Sequence, residues 1–422
     1  MRRLGIWLIG AGGYVGSVTA LGLSAMRRGL VPSVALVSDH EAFRRAGLTA
    51  FDEIVFGGHE VRRDGVGLVE NCTGFSAIVS PDLLRQCRAD LQRWQRNIRR
   101  GTLQGDGFRP AAGRSNARSA ERRNPDASGA AAVERLTADL LAFRSAHKLS
   151  NVVVINVART EPVRRSVTRL SSWDRLQKRL ARRGPSPLPA SSLYALAAIE
   201  SGCAYVNFTP SVGIDLPVLR RRADERGLPY MGRDGKTGET LVKSVLAPLF
   251  MMRRLNVLSW LGYNLLGNPD GQALADPQVR RAKQQTKDQT LRRLLGGAGR
   301  ASGDLTTRVG IDYVPSLGDR KLAWNYIHFE GFLGARMSLE FRWHGVDSLL
   351  AAPLVLDLAR FTELELRRSA AGAMPHLAFF FKAPMQTREF ALHRQWDALV
   401  SHVNTGCPAP DAEGDDPAFV RG

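Results

Sequence analysis

Cysteine is scarce in this chain: Cys72, Cys87, Cys203 and Cys407 are the only four in 422 residues. None forms a CxxC pair, so the spacing argues against a zinc site and no metal site is expected. Few, scattered cysteines suit a reducing compartment. Long apolar runs are also missing. The stretch after Arg2 and Arg3 is broken by Gly10, Gly12 and Gly13, and no small-residue cleavage site follows it, so it does not read as a leader peptide. No run is long and apolar enough to span a membrane. The expectation is a cytoplasmic protein with no membrane partner. A dense basic arm with interleaved aromatics is absent too, which argues against nucleic acid as a partner.

What is present is an ordinary globular composition, 44% hydrophobic and 23% charged, with enough chain for two domains or for one domain carrying an insertion. Lys and Arg outnumber Asp and Glu by 59 to 40, a net +19. Most of the excess is arginine spread along the chain, the pattern of compositional drift. The remainder suits an anionic small ligand, a dinucleotide or a phosphorylated metabolite.

The apolar run Gly5–Ile9 predicts a buried strand ending in glycines, and Val15, Val18, Leu21 and Met26 recur at helical spacing over Tyr14–Arg28. Val34–Val37 reads as a second strand ending at Ser38-Asp39, which completes a βαβ unit. Gly74–Val79, Val152–Val157 and Tyr205–Phe208 read as further strands, and Leu136–His147 as a helix. Ile98–Ala132, rich in Arg, Gly, Ser and Ala, reads as an excursion outside the core. This alternation predicts an open parallel sheet. Beyond about Val212 the character becomes α+β. Helices are expected over Leu241–Met252, Pro277–Leu295 and Leu349–Leu366, with strands around Val309–Val314 and Met337–Trp343. Leu377–Phe381 is another apolar run, and the acidic tail from Pro408 reads as disordered.

Two groups of residues carry chemistry. The first is Gly10-Ala11-Gly12-Gly13-Tyr14-Val15-Gly16, between a strand and a helix. Gly10 permits the tight turn, Gly12 the approach of a pyrophosphate, and Gly16 close helix–strand packing, while the helix N-terminus offers free amides and a positive dipole. The spacing is GxGxxxG, a variant of the dinucleotide fingerprint. Asp39, at the end of the expected second strand, stands where an acid accepts from ribose hydroxyls, which favours NAD over NADP; an ordinary turn aspartate is the alternative. The second group is cationic. Lys283 and Lys287 share one helix face, or form a solvated basic face with Arg280 and Arg281. Lys321 follows Gly318-Asp319-Arg320. Lys382 abuts Phe379-Phe380-Phe381, so partial desolvation would lower its pKa, unless it snorkels at an element end. Tyr263–Gly271 reads as an amide-rich turn able to hold a phosphate or a hydroxyl, or as a purely structural one.

The order of these segments resembles the myo-inositol-1-phosphate synthase family, in its shorter prokaryotic form. The resemblance rests on Gly10–Gly16, Asn156–Pro162, Asn207–Ser211, Gly235–Thr240, Tyr263–Gly271, Tyr313–Lys321, Asp347–Leu354 and Phe381–Pro384, nearly the whole chain. It implies an α/β fold: a Rossmann-like parallel-sheet domain made of N- and C-terminal parts, interrupted by an α+β catalytic and tetramerisation domain. The corresponding division is 1–212, with the excursion at about 98–132, then 213–349, then 350–422. It implies conversion of glucose 6-phosphate to inositol 3-phosphate with catalytic NAD, by oxidation at C5, enolisation, aldol closure onto C1 and reduction of the ring ketone. Ammonium groups would stabilise the oxyanions of that sequence without a metal, although a divalent or monovalent cation as an assistant stays open.

By resemblance, Lys283, Lys287, Lys321 and Lys382 match the active-site lysines, with Asp347 near the reacting hydroxyls. Gly10, Gly12, Gly13, Tyr14, Val15, Gly16, Asp39, Asn156, Ala158, Thr160, Asp270 and Asp319 fall to the cofactor. Thr209, Pro210, Ser211, Asn264, Leu266 and Asn268 fall to the substrate phosphate. Ser211 replaces a glutamine common in eukaryotic members, and Leu241 stands where many members have a lysine. Two other readings compete: a Rossmann oxidoreductase with net hydride transfer on another phosphorylated substrate, and a non-catalytic NAD-binding regulator.

Overall fold

A computed structural model describes residues 2–62, 67–74, 78–104, 126–161, 172–267, 291, 295 and 305–405. The chain opens with β1 (Leu4–Ile9), buried along its whole length, then the glycine turn and α1 (Tyr14–Arg27). β2 (Ile54–Glu60), α2 (Leu68–Thr73), α3 (Pro81–Gln95) and β3 (Ile98–Arg100) follow. Ser80 starts α3 by accepting from the Leu83 amide, with Pro81 at the first helical position. Ser128 does the same for α4 (Gly129–Ala146) through Ala131. Then come β4 (Asn151–Asn156), α5 (Trp173–Leu180), α6 (Ala190–Glu200), β5 (Ala204–Asn207), α7 (Pro217–Glu225) and β6 (Pro229–Gly232).

From there α8 (Glu239–Met252) leads into the strands β7 (Asn256–Leu266), β8 (Thr306–Tyr313), β9 (Arg320–Glu330) and β10 (Arg336–Val346). The long α9 (Asp347–Arg367) returns the chain to the first sheet, where β11 (Gly372–Ala373) is added, and α10 (Leu392–Val403) closes the described chain. The first sheet runs β11-β6-β5-β4-β1-β2-β3, and every pairing in it is parallel. With β1 flanked by β4 on one side and β2 on the other, the order reverses at β1, and the crevice beyond the strand ends at that point is where such sheets bind ligands. The second sheet, β10-β9-β7-β8, is mixed: β9 is antiparallel to both neighbours and β7 is parallel to β8. α9 packs on α1 and β4, so the C-terminal part completes the core begun by the N-terminal part. The expected fold class is thus observed: a parallel sheet built from both ends of the chain, with an inserted second sheet. Among the described residues no helix is long and apolar enough to cross a membrane.

Several local expectations fail. Val34–Val37 is not a strand: Val34 is 79% exposed, Ala35 has φ +70°, and Val37–Asp39 is a single 3-10 turn. The Val37 and Ser38 amides donate to the Asp357 carboxylate of α9 at 3.0 and 2.8 Å, so side-chain capping replaces a ladder. The true second strand is Ile54–Glu60, buried on both faces, whose apolar run is interrupted by Gly57-Gly58 and closed by a charged end. Of the expected strand Gly74–Val79, Gly74 ends α2 and Ile78 and Val79 lie in a turn before α3, while 75–77 lie outside the described residues. The supposed excursion contributes an edge strand, β3, and buried Thr102, Gln104 and Asp126, while 105–125 lie outside the described residues. Tyr263–Leu266 is the end of β7 rather than a turn. Leu377–Phe381 lies largely in the 3-10 helix Pro375–Phe380. Of the basic helix Pro277–Leu295 only Leu291 and Leu295 are described, both helical.

Candidate active site

The glycine turn has the geometry its sequence requires. Gly10 has φ +89°, and the amides of Gly10 and Ala11 both donate to the His59 carbonyl at the end of β2. A Cβ on Gly16 would stand 2.3 Å from the Ala11 carbonyl oxygen, a backbone atom that cannot yield. The N-cap of α1, Gly13, provides no side-chain cap, so the helix start keeps its capacity for an anion. Tyr14 and Val15 open this helix. Ala158, after β4, closes the crevice from the other side, its Cα 3.0 Å from a Cβ built on Gly10.

The acid beside this turn is not Asp39. Asp39 is exposed on its 3-10 turn, hydrogen-bonded to Ser33. Glu60, the last residue of β2, takes the place: its Oε2 stands 2.9 Å from a Cβ built on Gly12, and its Oε1 accepts from the Val61 and Arg62 amides. Sequence reading missed it because it assigned the second strand twenty residues too early (roughly, by strand position).

At the ends of β4 and β5 the polar groups are tied to one another. Asn156 Nδ2 lies 3.2 Å from both Asn207 Oδ1 and Thr209 Oγ1, and Asn156 Oδ1 accepts from Ala158 N. Thr160 is half-buried just beyond. Ser211 is wholly buried: its hydroxyl accepts from Glu161 N, and its carbonyl takes Asn207 Nδ2 at 2.6 Å. Thr209, Pro210 and Ser211 therefore form a self-bonded turn, and the Thr209 carbonyl passes the link on to the Asp234 amide.

Asp234 opens the loop after β6, and this loop gathers the cations. Lys382 Nζ is 2.8 Å from Asp234 Oδ1, and Lys382 N donates to Asp234 O at 2.7 Å. The three phenylalanines before Lys382 suggest a lone desolvated amine, but in the fold it is ion-paired. Lys321, on β9, sits 3.1 Å from Asp347 Oδ1 at the start of α9, and Asp319 Oδ2 accepts from Ser348 N. The amine of Lys321 also lies 3.6 Å from a Cβ built on Gly238, the uncapped N-cap of α8. Burial pulls the Lys321 ammonium down, but Asp347, Glu239 and Asp234 outweigh it and raise its pKa, so the amine is charged at neutral pH. The β7–β9 register sets Leu266 opposite Lys321 and Asn264 opposite Ala323. Asn264 donates to Glu239 Oε2 at 2.9 Å, and Glu239 Oε1 pairs with Lys243 at 2.7 Å, each side chain of that pair only 2% exposed. The structure thus brings together Lys321, Lys382, Asp347, Asp319, Asn264 and Leu266. Lys283, Lys287, Asn268 and Asp270 lie outside the described residues.

Sequence reading missed three contributors here, although Gly235–Thr240 was in view as a motif. One is the amide-bearing start of α8, Gly238 to Thr240, facing Lys321. Another is the Glu239–Lys243 pair beneath it. Replacing Lys243 with methionine leaves a buried carboxylate without this cation and should cost about 3–5 kcal/mol of stability, read by urea unfolding; the double change with Glu239→Gln should recover much of that loss. The third is Lys236, buried, with Nζ 2.5 Å from Gln395 Oε1 of α10. Burial pushes its amine down to about 7. Between that value and the ordinary 10.5 the unfolded chain holds a proton that the folded chain does not, so stability should rise with pH across this window. Lys236→Met should flatten that rise, checked by unfolding at pH values from about 7 to 9.

The family model for myo-inositol-1-phosphate synthase matches residues 4–403. The chain belongs to that family. It is 29% identical over 416 residues to inositol-3-phosphate synthase 1 of Bacteroides thetaiotaomicron, covering 93% of each chain. It is 30% identical over 396 residues to the inositol-3-phosphate synthase of Spirodela polyrhiza, covering 86% of this chain and 75% of that one. In fold it is similar to the Caenorhabditis elegans inositol-3-phosphate synthase, with a TM-score of 0.80 at 22% identity over 97% of this chain and 87% of that one. A myo-inositol-1-phosphate synthase-related protein of Thermotoga maritima gives 0.72 at 22% identity, over 96% and 99%.

Proposed function

We infer that the protein is an inositol-3-phosphate synthase, converting glucose 6-phosphate to inositol 3-phosphate with NAD as a catalytic cofactor. The observation that carries this reading is the convergence of Lys321 and Lys382 on the loop Asp234–Gly238, at the same sheet edge as the glycine turn. NAD fits the residues present: the positive φ at Gly10, the uncapped start of α1 and the Glu60 carboxylate beside Gly12 form a pyrophosphate and ribose cradle. When bound, NAD supplies the oxidation at C5 that opens the sequence and the reduction that closes it.

The chain's own residues do the rest. The amides of Gly238, Glu239 and Thr240, with Lys321 beside them, form an anion site for the substrate phosphate. Asn264, held by Glu239, and the backbone at Leu266 border it. Enolisation and ring closure place negative charge on the oxygens at C5 and C1, and the Lys321 and Lys382 ammonium groups stabilise it and hand protons to it at Nζ. Asp234 and Asp347 hold those amines in place. Lys283 and Lys287 complete the cationic set in this reading, with Asn268 at the phosphate and Asp270 toward the nicotinamide. We take 1–212 and 350–422 as the cofactor-binding part and 213–349 as the catalytic part, with β6 remaining in the first sheet. The exposed apolar side chains Val245, Leu249 and Met252 of α8 are surface that a homotetramer would cover. A cytoplasmic setting belongs to the same reading.

The test is incubation of the purified protein with NAD and glucose 6-phosphate, followed by phosphorus NMR. Inositol 3-phosphate should form with no net NADH. Stoichiometric NADH accumulation would overturn the reading in favour of an ordinary oxidoreductase.

A further inference from the structure

Three C-terminal segments meet outside the ion pairs of the lysine site: the end of α9, the 3-10 turn Pro375–Phe380, and the end of α10. They bring together Glu365, His376 and His402, whose ligand-capable atoms all lie within 4.8 Å of one another. His402 Nε2 is 3.1 Å from Glu365 Oε2, and His376 Nε2 is 4.0 Å from Glu365 Oε1. The second distance is too long for a hydrogen bond. His376 is 7% exposed, and its Nε2 is buried with no hydrogen-bond partner among the described residues. A ring nitrogen taken out of water and left unsatisfied, aimed at a buried carboxylate, is what an absent ligand leaves behind.

We propose that Glu365, His376 and His402 bind one divalent transition-metal ion of the zinc class, with water completing its shell. Two imidazole nitrogens and one carboxylate oxygen are a common donor set for such ions, and too few, with too much nitrogen, for calcium or magnesium. Burial, together with the neighbouring His402, pushes His376 down to about 4, so its ring is neutral and its lone pair is free for an ion at physiological pH. Burial raises the Glu365 carboxyl, but the His402 hydrogen bond and the Arg368 charge outweigh it and lower its pKa. Arg368 stands 3.4 Å from Glu365 Oε1, and its other donors go to the carbonyls of His402, Val403 and Thr405, which leaves the carboxylate open on its histidine side.

Tetrahedral ligands about 2.1 Å from zinc sit roughly 3.4 Å apart, so the three ligand atoms must close up on the ion. The two rings are stacked, with centroids 3.6 Å apart and planes at 8°, so their lone pairs run nearly parallel. Binding therefore turns one ring out of the stack. His402, 43% exposed, is free to turn, while buried His376 stays fixed. Such an ion staples α9, the 375–380 turn and α10. The turn leads directly into Lys382, and α10 carries Gln395, the partner of Lys236, so occupancy would steady the C-terminal wall of the lysine site from outside it.

The probe is cobalt(II), added alone to protein freed of metal by chelation. Tight binding of one equivalent per chain is expected, with visible bands of a four- or five-coordinate ion that zinc displaces. Binding should weaken at least tenfold (about 1.4 kcal/mol) in His402→Ala and in His376→Ala. His402 lies at the surface, so its variant decides the matter even if His376→Ala does not fold. Zinc should also raise the melting temperature of the parent protein by a few degrees and leave that of His402→Ala unchanged. No stoichiometric binding, or binding of unaltered strength and spectrum in His402→Ala, would overturn the site.

Discussion

Replacing Lys321 with alanine should lower kcat for inositol phosphate formation by about three orders of magnitude while leaving NAD binding intact. The size of the effect follows from position. The Lys321 amine is charged, is held at 3.1 Å by Asp347, and lies at the uncapped start of α8, where an anionic ligand gains from both charge and dipole. In the proposed reading its loss removes a cation from beside the reacting oxygens. Arginine should not restore activity, because a guanidinium keeps its proton through the cycle and is too broad for a compact ammonium's place. Lys382→Ala should fall into the same range, since Asp234 orients that amine at 2.8 Å. Steady-state rates with saturating NAD, read beside a nucleotide-binding titration, separate chemistry from cofactor loss. A Lys321→Ala enzyme within tenfold of the parent would remove Lys321 from the chemistry.

Gly16→Val should act on the other half of the site and weaken NAD binding by at least about 100-fold. The smallest side chain already places a carbon 2.3 Å from the Ala11 carbonyl oxygen. The helix must then move off the turn, and the amides at its start lose their aim at the pyrophosphate. Equilibrium titration with NADH, monitored by nicotinamide fluorescence, measures the loss, and circular dichroism checks that the sheet persists. Unchanged affinity would mean that the cofactor does not use this turn.

The parts legible in the sequence are those whose signal is local. The strand–glycine turn–helix over Leu4–Arg27 announces itself by an apolar run, spaced glycines and a helical period. The order of family segments singles out Lys321, Asp347 and Lys382, and the fold pairs Lys321 with Asp347 and Lys382 with Asp234. The failures are tertiary. Val34–Val37 has strand-forming residues, yet α9, more than three hundred residues later (about 320 by its contact), caps that segment as a turn through Asp357. Asp39 takes its expected role from that strand and stands on a 3-10 turn instead, while Glu60 ends the strand that does lie beside the glycine turn. Lys236 and Lys243 look like ordinary surface lysines in sequence, since nothing local says that α10 and β7 will bury them. The Glu365, His376 and His402 cluster lacks any ligand spacing and exists only because α9, the 375–380 turn and α10 converge.

The most direct test of a shared cationic site beside the cofactor turn is a crystal structure with NAD and an acyclic phosphorylated polyol, which lacks the aldehyde needed for ring closure. The expected result places the phosphate on the amides of Gly238 to Thr240, with Lys321 and Lys382 in contact with the ligand and the nicotinamide against its carbon chain. A polyol bound elsewhere, with both amines turned toward bulk water, would contradict it.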